Sequence, residues 1–298
     1  MRKMKVPNIL KNSPSWRYMA WHIGRPAPSA LQESSASSPE HGAYLLSLKR
    51  QEQRVLLAQL GLAVGFFALW EAAARLGLIE AFIFSQPSRI VTAAWGLSQD
   101  GSLFSHMFST LSSTLIAFGI STLGGIILAT LLYSNAFIRR VAEPYLVILN
   151  SMPKTALAPV IIVIFGTNIR AVIVTAVLTS IIVTVMGVLQ SFLEISEDKL
   201  RLVQSFGASP SQTLQKLVLP ASMPAIFTAL RINIGLSFIG VVVGEFLVAN
   251  TGLGALIIHG SQVFRMDWVM LSIILLMLLA AALYKAIALL EARVHRMF

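Results

Sequence analysis

No cysteine occurs in this 298-residue chain, so neither a disulfide framework nor a thiolate metal site is open to it. The five histidines, His22, His41, His106, His259 and His295, are scattered without ligand spacing, and no H-E-x-x-H run accompanies them. No Gly-Lys pair is present, hence no G-x4-G-K-[ST] loop to cradle nucleotide phosphates. A nucleophile elbow and paired acid-base carboxylates are missing too, so the expectation is a chain that is not an enzyme and carries no metal or cofactor of its own. Charge is scarce as well. Only 12% of residues are Asp, Glu, Lys or Arg, about half the share of an ordinary soluble domain.

What fills the space is apolar. Hydrophobic residues make up 56% of the chain and mean hydropathy is +0.75, which points to an all-α, polytopic membrane protein. The net charge of +10 is unevenly placed: nine Lys/Arg precede Val55 and most of the rest sit at the ends of apolar runs. That bias is the positive-inside pattern of cytoplasmic segments rather than a nucleic-acid footprint.

Residues 1–54 mix Ser, Pro and charge without periodicity and read as a mostly disordered cytoplasmic arm, ending in a basic helix start at Lys49–Arg54. Residues 55–298 read as the membrane domain, with a first span at about Val55–Leu78. Glu71 and Arg75 lie four apart on one helical face of it and are expected to pair. An amphipathic connector, Ala81–His106, leads to a second span at about Phe108–Tyr133, whose Ser and Gly residues suit close helix packing in lipid. A third span, entering near Glu143, carries Asn150, Ser151, Pro153, Lys154 and Pro159. Taken as one straight helix, it places Lys154 about 16 Å deep at 1.5 Å per residue. A cation and irregular backbone at that depth need protein or water around them, so Asn150, Ser151, Pro153 and Lys154 are candidate translocation-path residues.

The fourth span is Ile169–Leu193. The fifth, about Ala225–Val248, holds Arg231, expected to snorkel at the inner end, and Glu245, a further path candidate near the outer leaflet. The sixth is about Trp268–Leu290. Six spans with both termini inside put seventeen Lys/Arg inside and three, Arg89, Arg170 and Arg265, outside.

Between the fourth and fifth spans lies residues 196–224, SEDKLRLVQSFGASPSQTLQKLVLPASMP, polar and punctuated by Gly207, Pro210, Pro220 and Pro224. Its spacing predicts two short amphipathic helices at an angle. Gly207 makes the turn, Ser209 and Pro210 start the second helix as N-cap and first residue, and Leu219-Pro220 ends it. Gly207, nine residues, Leu217, one residue and Leu219-Pro220 resemble the E-A-A-x3-G-x9-I-x-L-P loop of permease subunits of bacterial ABC importers. Arg201-Leu202-Val203 stands where that family usually has Glu-Ala-Ala, and Leu217 replaces Ile. From Pro87 onward further stretches match the nitrate, taurine and alkanesulfonate branch: Pro87-Ser88-Arg89-Ile90, Glu143-Pro144, Ala156-Leu157-Ala158-Pro159, Gly244-Glu245-Phe246 and Thr251-Gly252-Leu253-Gly254.

The resemblance implies a six-helix permease of the type I importer kind in the bacterial inner membrane. It is expected to work as a homodimer on two separate ATPase subunits, which carry the ATP and magnesium, with a soluble binding protein delivering a small solute from outside. The loop would be the coupling helix. Phe206, Leu214 and Leu217 would form its apolar docking face, Gly207, Ala208, Ser209 and Pro220 its turn and stops, and Lys199, Arg201, Gln204, Gln215 and Lys216 its polar rim. The rival readings are a membrane scaffold that uses the same loop to bind a partner, and a secondary transporter. The latter is expected to show broken helices in matching positions of both halves, whereas only the third span here is interrupted.

Overall fold

Long apolar stretches in lipid must satisfy every backbone amide internally, and the chain meets that demand with helices. The computed structural model describes residues 39–248 and 250–294; the expectation for the first part of the basic arm and the placement of His295-Arg296 fall outside them. The described residues divide into two units that part between Ala68 and Leu69. α1 (Pro39–Arg75) begins well ahead of Val55, so the basic run at Lys49–Arg54 is already helical. Short helices α2 (Ala81–Phe84) and α3 (Pro87–Gln99) follow. Then come α4 (Ser102–Ser134), α5 (Ala136–Ser151), a 3-10 turn (Lys154–Leu157), α6 (Ala158–Phe165), α7 (Ile169–Leu193), α8 (Glu197–Ser205) and α9 (Pro210–Thr213). A π-helical turn (Leu214–Val218) joins α9 to α10 (Leu219–Val248), and α11 (Leu253–Gln262) and α12 (Met266–Val294) complete the described chain.

Among the described residues five helical runs are long and apolar enough to cross a membrane, or six if the bent pair α5 and 154–165 counts as one span. That pair bends by 89°: the interruption expected in the third span is present, at a sharper angle than the depth count along a straight helix assumes. Residues 136–143, ahead of the expected entry near Glu143, are already the first turns of α5, started by the Asn135 side chain accepting from the amides of Phe137 and Ile138. The helix then stops at Ser151 because Pro153 lacks an amide and restricts Met152 to extended backbone, which is where it sits at ψ 133°. A depth for Lys154 counted along a straight helix therefore does not apply.

The core is α4, α7 and α10 packed side by side. Their contacts run through small residues, as association in lipid requires. A Cβ on Gly125 would lie 2.6 Å from Thr184 Cγ2, and one on Gly240 2.6 Å from the Ala176 Cα. Ala117, Ala129, Ser121, Ser180 and Ser237 are fully buried around them. Midway, Asn233 ties α10 to α4 with Nδ2 donating to Thr122 Oγ1 at 2.7 Å and Oδ1 accepting from Ser121 at 3.0 Å. At the end next to α8, Phe192, Val188, Val218 and Ile226 close an apolar cluster; at the far end Val172, Val241, Ile161 and Val248 close another.

Two ion pairs brace the periphery. Glu71 accepts from Arg75 at 2.7 Å, the expected pairing, and also from the Ser88 amide at 3.0 Å, so it caps α3 as well. Arg231 pairs with Glu291 of α12, which corrects the expectation that it snorkels. A helix neighbour offers a carboxylate at that level, and a paired guanidinium has no need to reach for water.

Candidate functional site

The 196–224 segment builds from its own capping residues. Glu197 and Asp198 occupy the first turn of α8, where the helix dipole favours negative charge. Arg201 donates to Glu197 at 2.8 Å along the same helix. The helix ends on a glycine C-cap: Gly207, at φ +77°, gives its amide to Gln204 at 2.9 Å, and Ala208 gives its amide to Val203 at 3.4 Å. Two residues later a capping box restarts the chain. Ser209 Oγ accepts from the Gln212 amide at 3.3 Å, and Gln212 Oε1 accepts from the Ser209 amide at 2.9 Å. Gln212 was legible as the fourth residue of an S-x-x-Q pattern, although only Ser209 and Pro210 had been singled out.

Leu219-Pro220 does not end the second helix. Through the π turn the chain runs helically from Pro210 into α10, with Leu219 N–H donating to Leu214 O, five residues back. The reason is local. A proline at 220 cannot donate to Lys216 and its ring presses on that carbonyl; widening the preceding turn relieves the clash. The loop is thus a head rigidly continuous with a membrane helix. Ser222 Oγ, donating to Ser191 O at 3.2 Å, closes its base.

The head sorts its apolar residues into two sets. Leu200, Leu214 and Leu219 pack toward the core cluster of Val218 and Phe192. Phe206 and Leu202, 82% and 58% exposed, stand out into solvent beside Gly207. Among the expected docking residues, Arg201, Gln204, Phe206, Gly207, Ser209, Lys216 and Pro220 are exposed, as are the rim residues Lys199 and Gln215. Ala208, Leu214 and Leu217 are half-buried. Leu202 is not among the expected docking residues, although it lies one helical turn before Phe206. A cavity of about 520 Å³, lined in part by Tyr133, Leu200, Gln204, Ala208 and Pro210, lies beneath the head.

The path candidates fall into two places. Asn150, Ser151, Pro153 and Lys154 gather at the bend after α5. There Lys154 Nζ donates to the Asn150 carbonyl, a cation on the negative end of a helix dipole. Asn150, Ser151 and Pro153 are exposed, and Lys154 is half-buried. Glu245 is elsewhere, 2% exposed near the far end of α10. Its Oε1 accepts from Thr110 at 2.8 Å and its Oε2 from the Gly254 amide at 2.8 Å. The same Thr110 Oγ accepts from the Leu253 amide at 2.8 Å, and His106 Nδ1 lies 2.9 Å from the Gly252 carbonyl oxygen. Gly252, at φ +120°, is required by this contact: a Cβ there would meet the Glu245 carboxylate at 2.2 Å. Lys154 and Glu245 belong to none of the ion pairs found among the described residues.

Residues 121–296 match a family model described as "Binding-protein-dependent transport system inner membrane component". The chain is 28% identical over 218 residues to the putative aliphatic sulfonates transport permease protein SsuC of Escherichia coli, covering 73% of this chain and 83% of that protein. It is 31% identical over 186 residues to the formylaminopyrimidine transport permease protein ThiX of Halalkalibacterium halodurans, covering 62% and 74%. Among solved structures, a chain of the inward-facing MetNI methionine ABC transporter superposes with a TM-score of 0.59 at 21% identity, over 65% of this chain and 96% of that one. This likeness shows a shared fold over that part of the chain.

Proposed function

The chain belongs to the family of binding-protein-dependent transport system inner membrane components, and from that premise we propose that it is the permease subunit through which an ATPase drives import of a small solute. The observation that carries the reading is the head at 196–218. Phe206 and Leu202 are offered to a partner by a segment whose central turn is fixed by the Gly207 C-cap and the Ser209–Gln212 capping box and whose second helix is one piece with α10. A push on that head is delivered to a membrane helix without an intervening flexible joint. ATP and magnesium belong to the partner ATPase, which closes on this head and rocks α7 and α10.

A second copy of the permease completes the path, and a binding protein supplies solute at the opposite face. The head and both chain termini lie on the cytoplasmic side of the bacterial inner membrane. The bend at Met152-Pro153, with Asn150, Ser151 and Lys154, lines the path. A cation beside an interrupted helix suits a small anion of the sulfonate or nitrate kind, in keeping with what the name of the sulfonate relative says that protein carries.

The test is ATP hydrolysis and uptake by the complex in liposomes, comparing wild type with Phe206→Ala. Phe206 is exposed, so the variant should fold and insert normally, yet lose affinity for the ATPase by about tenfold or more, the effect of removing an aromatic anchor. If no ATPase accompanies the wild-type chain, or Phe206→Ala couples normally, the reading fails.

A further inference from the structure

Beside the Glu245 carboxylate lies a cavity of about 220 Å³ lined by Ser109, Ser113, Thr167, Asn168, Thr251 and the carboxylate itself, among others. Two of its walls are chemically incomplete. Ser113 Oγ is buried, with the residue 1% exposed, and makes no hydrogen bond. Glu245 is all but fully buried, and its two acceptor contacts, from Thr110 and Gly254, leave each oxygen a free lone pair. The other charges do not reach it: His106 spends its Nδ1 on Gly252, and no ion pair among the described residues includes Glu245. The start of α11 supplies dipoles, which offset only part of a full charge. A buried carboxylate without a counter-charge is costly. Water in the cavity would satisfy the hydroxyl without supplying one.

We propose that this cavity is a binding site for a single positive charge, held by the Glu245 carboxylate and the Ser113 hydroxyl, with Ser109, Thr167 and Thr251 completing an all-oxygen shell. Oxygen donors with one carboxylate suit an alkali ion or a primary ammonium group. They do not suit a transition metal, and the described residues contain no cluster of three His, Cys, Asp or Glu. Asn168 stands on the same wall, its Oδ1 accepting from the Arg170 amide at 2.8 Å and its Nδ2 donating to Phe165 O at 2.6 Å. An occupant would tie α4 and α10 together under the 250–254 turn. The site stands or falls without reference to the ATPase.

The experiment measures retention of radioactive sodium by the immobilised full-length protein in detergent, with unlabelled sodium, ammonium, methylammonium and choline chlorides as competitors. Wild type should bind saturably, and choline, whose three methyl groups hold its charge away from the carboxylate, should not compete. Ser113→Ala should weaken binding about tenfold, the loss of one hydrogen bond to a charged partner, and Glu245→Gln should abolish it. Ser113→Ala removes only an unpartnered hydroxyl and so keeps the test valid if Glu245→Gln misfolds. Stronger competition by ammonium and methylammonium than by sodium identifies an ammonium group as the occupant; the reverse identifies a free alkali ion. Absence of saturable retention in wild type, equal competition by choline, or retention unchanged in Ser113→Ala would overturn the site.

Discussion

Gly252 and Gly101 are both left-handed, at φ +120° and +75°, yet a methyl group at each meets different surroundings. At Gly101 nothing lies within 4 Å, so Gly101→Ala should cost only the backbone term, about 1–2 kcal/mol. At Gly252 the new Cβ would fall 2.2 Å from Glu245 Cδ, forcing the carboxylate off the Gly254 amide and the His106 contact out of register. Gly252→Ala should therefore lower the thermal midpoint well beyond Gly101→Ala, by the cost of an unsatisfied buried carboxylate on top of strain. Equal midpoints for the two variants would show the Glu245 contact to be unimportant. Gly244-Glu245-Phe246 and Thr251-Gly252-Leu253-Gly254 were each visible as motifs. That the glycines exist to let the glutamate in was not, because spacing along the chain does not reveal a side chain folding back under the next turn. The same limit hid the Arg231–Glu291 pair, whose partners are sixty residues apart in sequence and meet only through the packing of α10 on α12.

At the scale of elements, the capping signals were the legible part and Pro220 was the misleading one. Gly207 and Ser209 act as their chemistry dictates, one tolerating left-handed backbone and the other accepting an orphan amide. Pro220 was read as a stop because the rule assumes an i to i−4 ladder; a π turn has none to break at that point. This gives Pro220 a consequence of its own. In Pro220→Ala the restored amide can close on the Lys216 carbonyl, tightening Leu214–Val218 to α geometry. Losing one residue from the turn rotates the head by about 100° about the α10 axis. The expected outcome is a protein at least as stable as wild type, in which solute moved per ATP hydrolysed falls on the order of tenfold, the scale of a lost inter-site coupling. An unchanged ratio would mean that the π turn is not part of the transmission. Arg231 supplies a second element-scale test. Arg231→Ala strands Glu291 at the α10–α12 contact and should destabilise by about 2 kcal/mol, reduced from the fully buried case by partial exposure. Exchanging the two residues, Arg231→Glu with Glu291→Arg, should recover most of the loss in the same thermal assay.

For the whole molecule, membrane class followed from composition alone, since a chain this apolar has few folds open to it. The sharpness of the bend after α5 did not, because three polar residues and a proline are equally consistent with a mild kink and with a right-angle turn of 89°. Orientation is the property that charge should decide. Lys199, Arg201 and Lys216 sit on the 196–218 head, whereas Arg265 alone represents the α11–α12 connection. The positive-inside bias therefore predicts the head in the cytoplasm and that connection outside. Because the chain has no cysteine, single replacements report position without background. Ser205→Cys and Ser261→Cys both fall at exposed sites whose hydroxyls bond only within their own helix. In intact cells a membrane-impermeant maleimide should label Ser261→Cys and leave Ser205→Cys untouched, and permeabilisation should make both reactive. The opposite pattern would put the head outside, beyond reach of any ATP-hydrolysing partner, and the permease reading would fail with it.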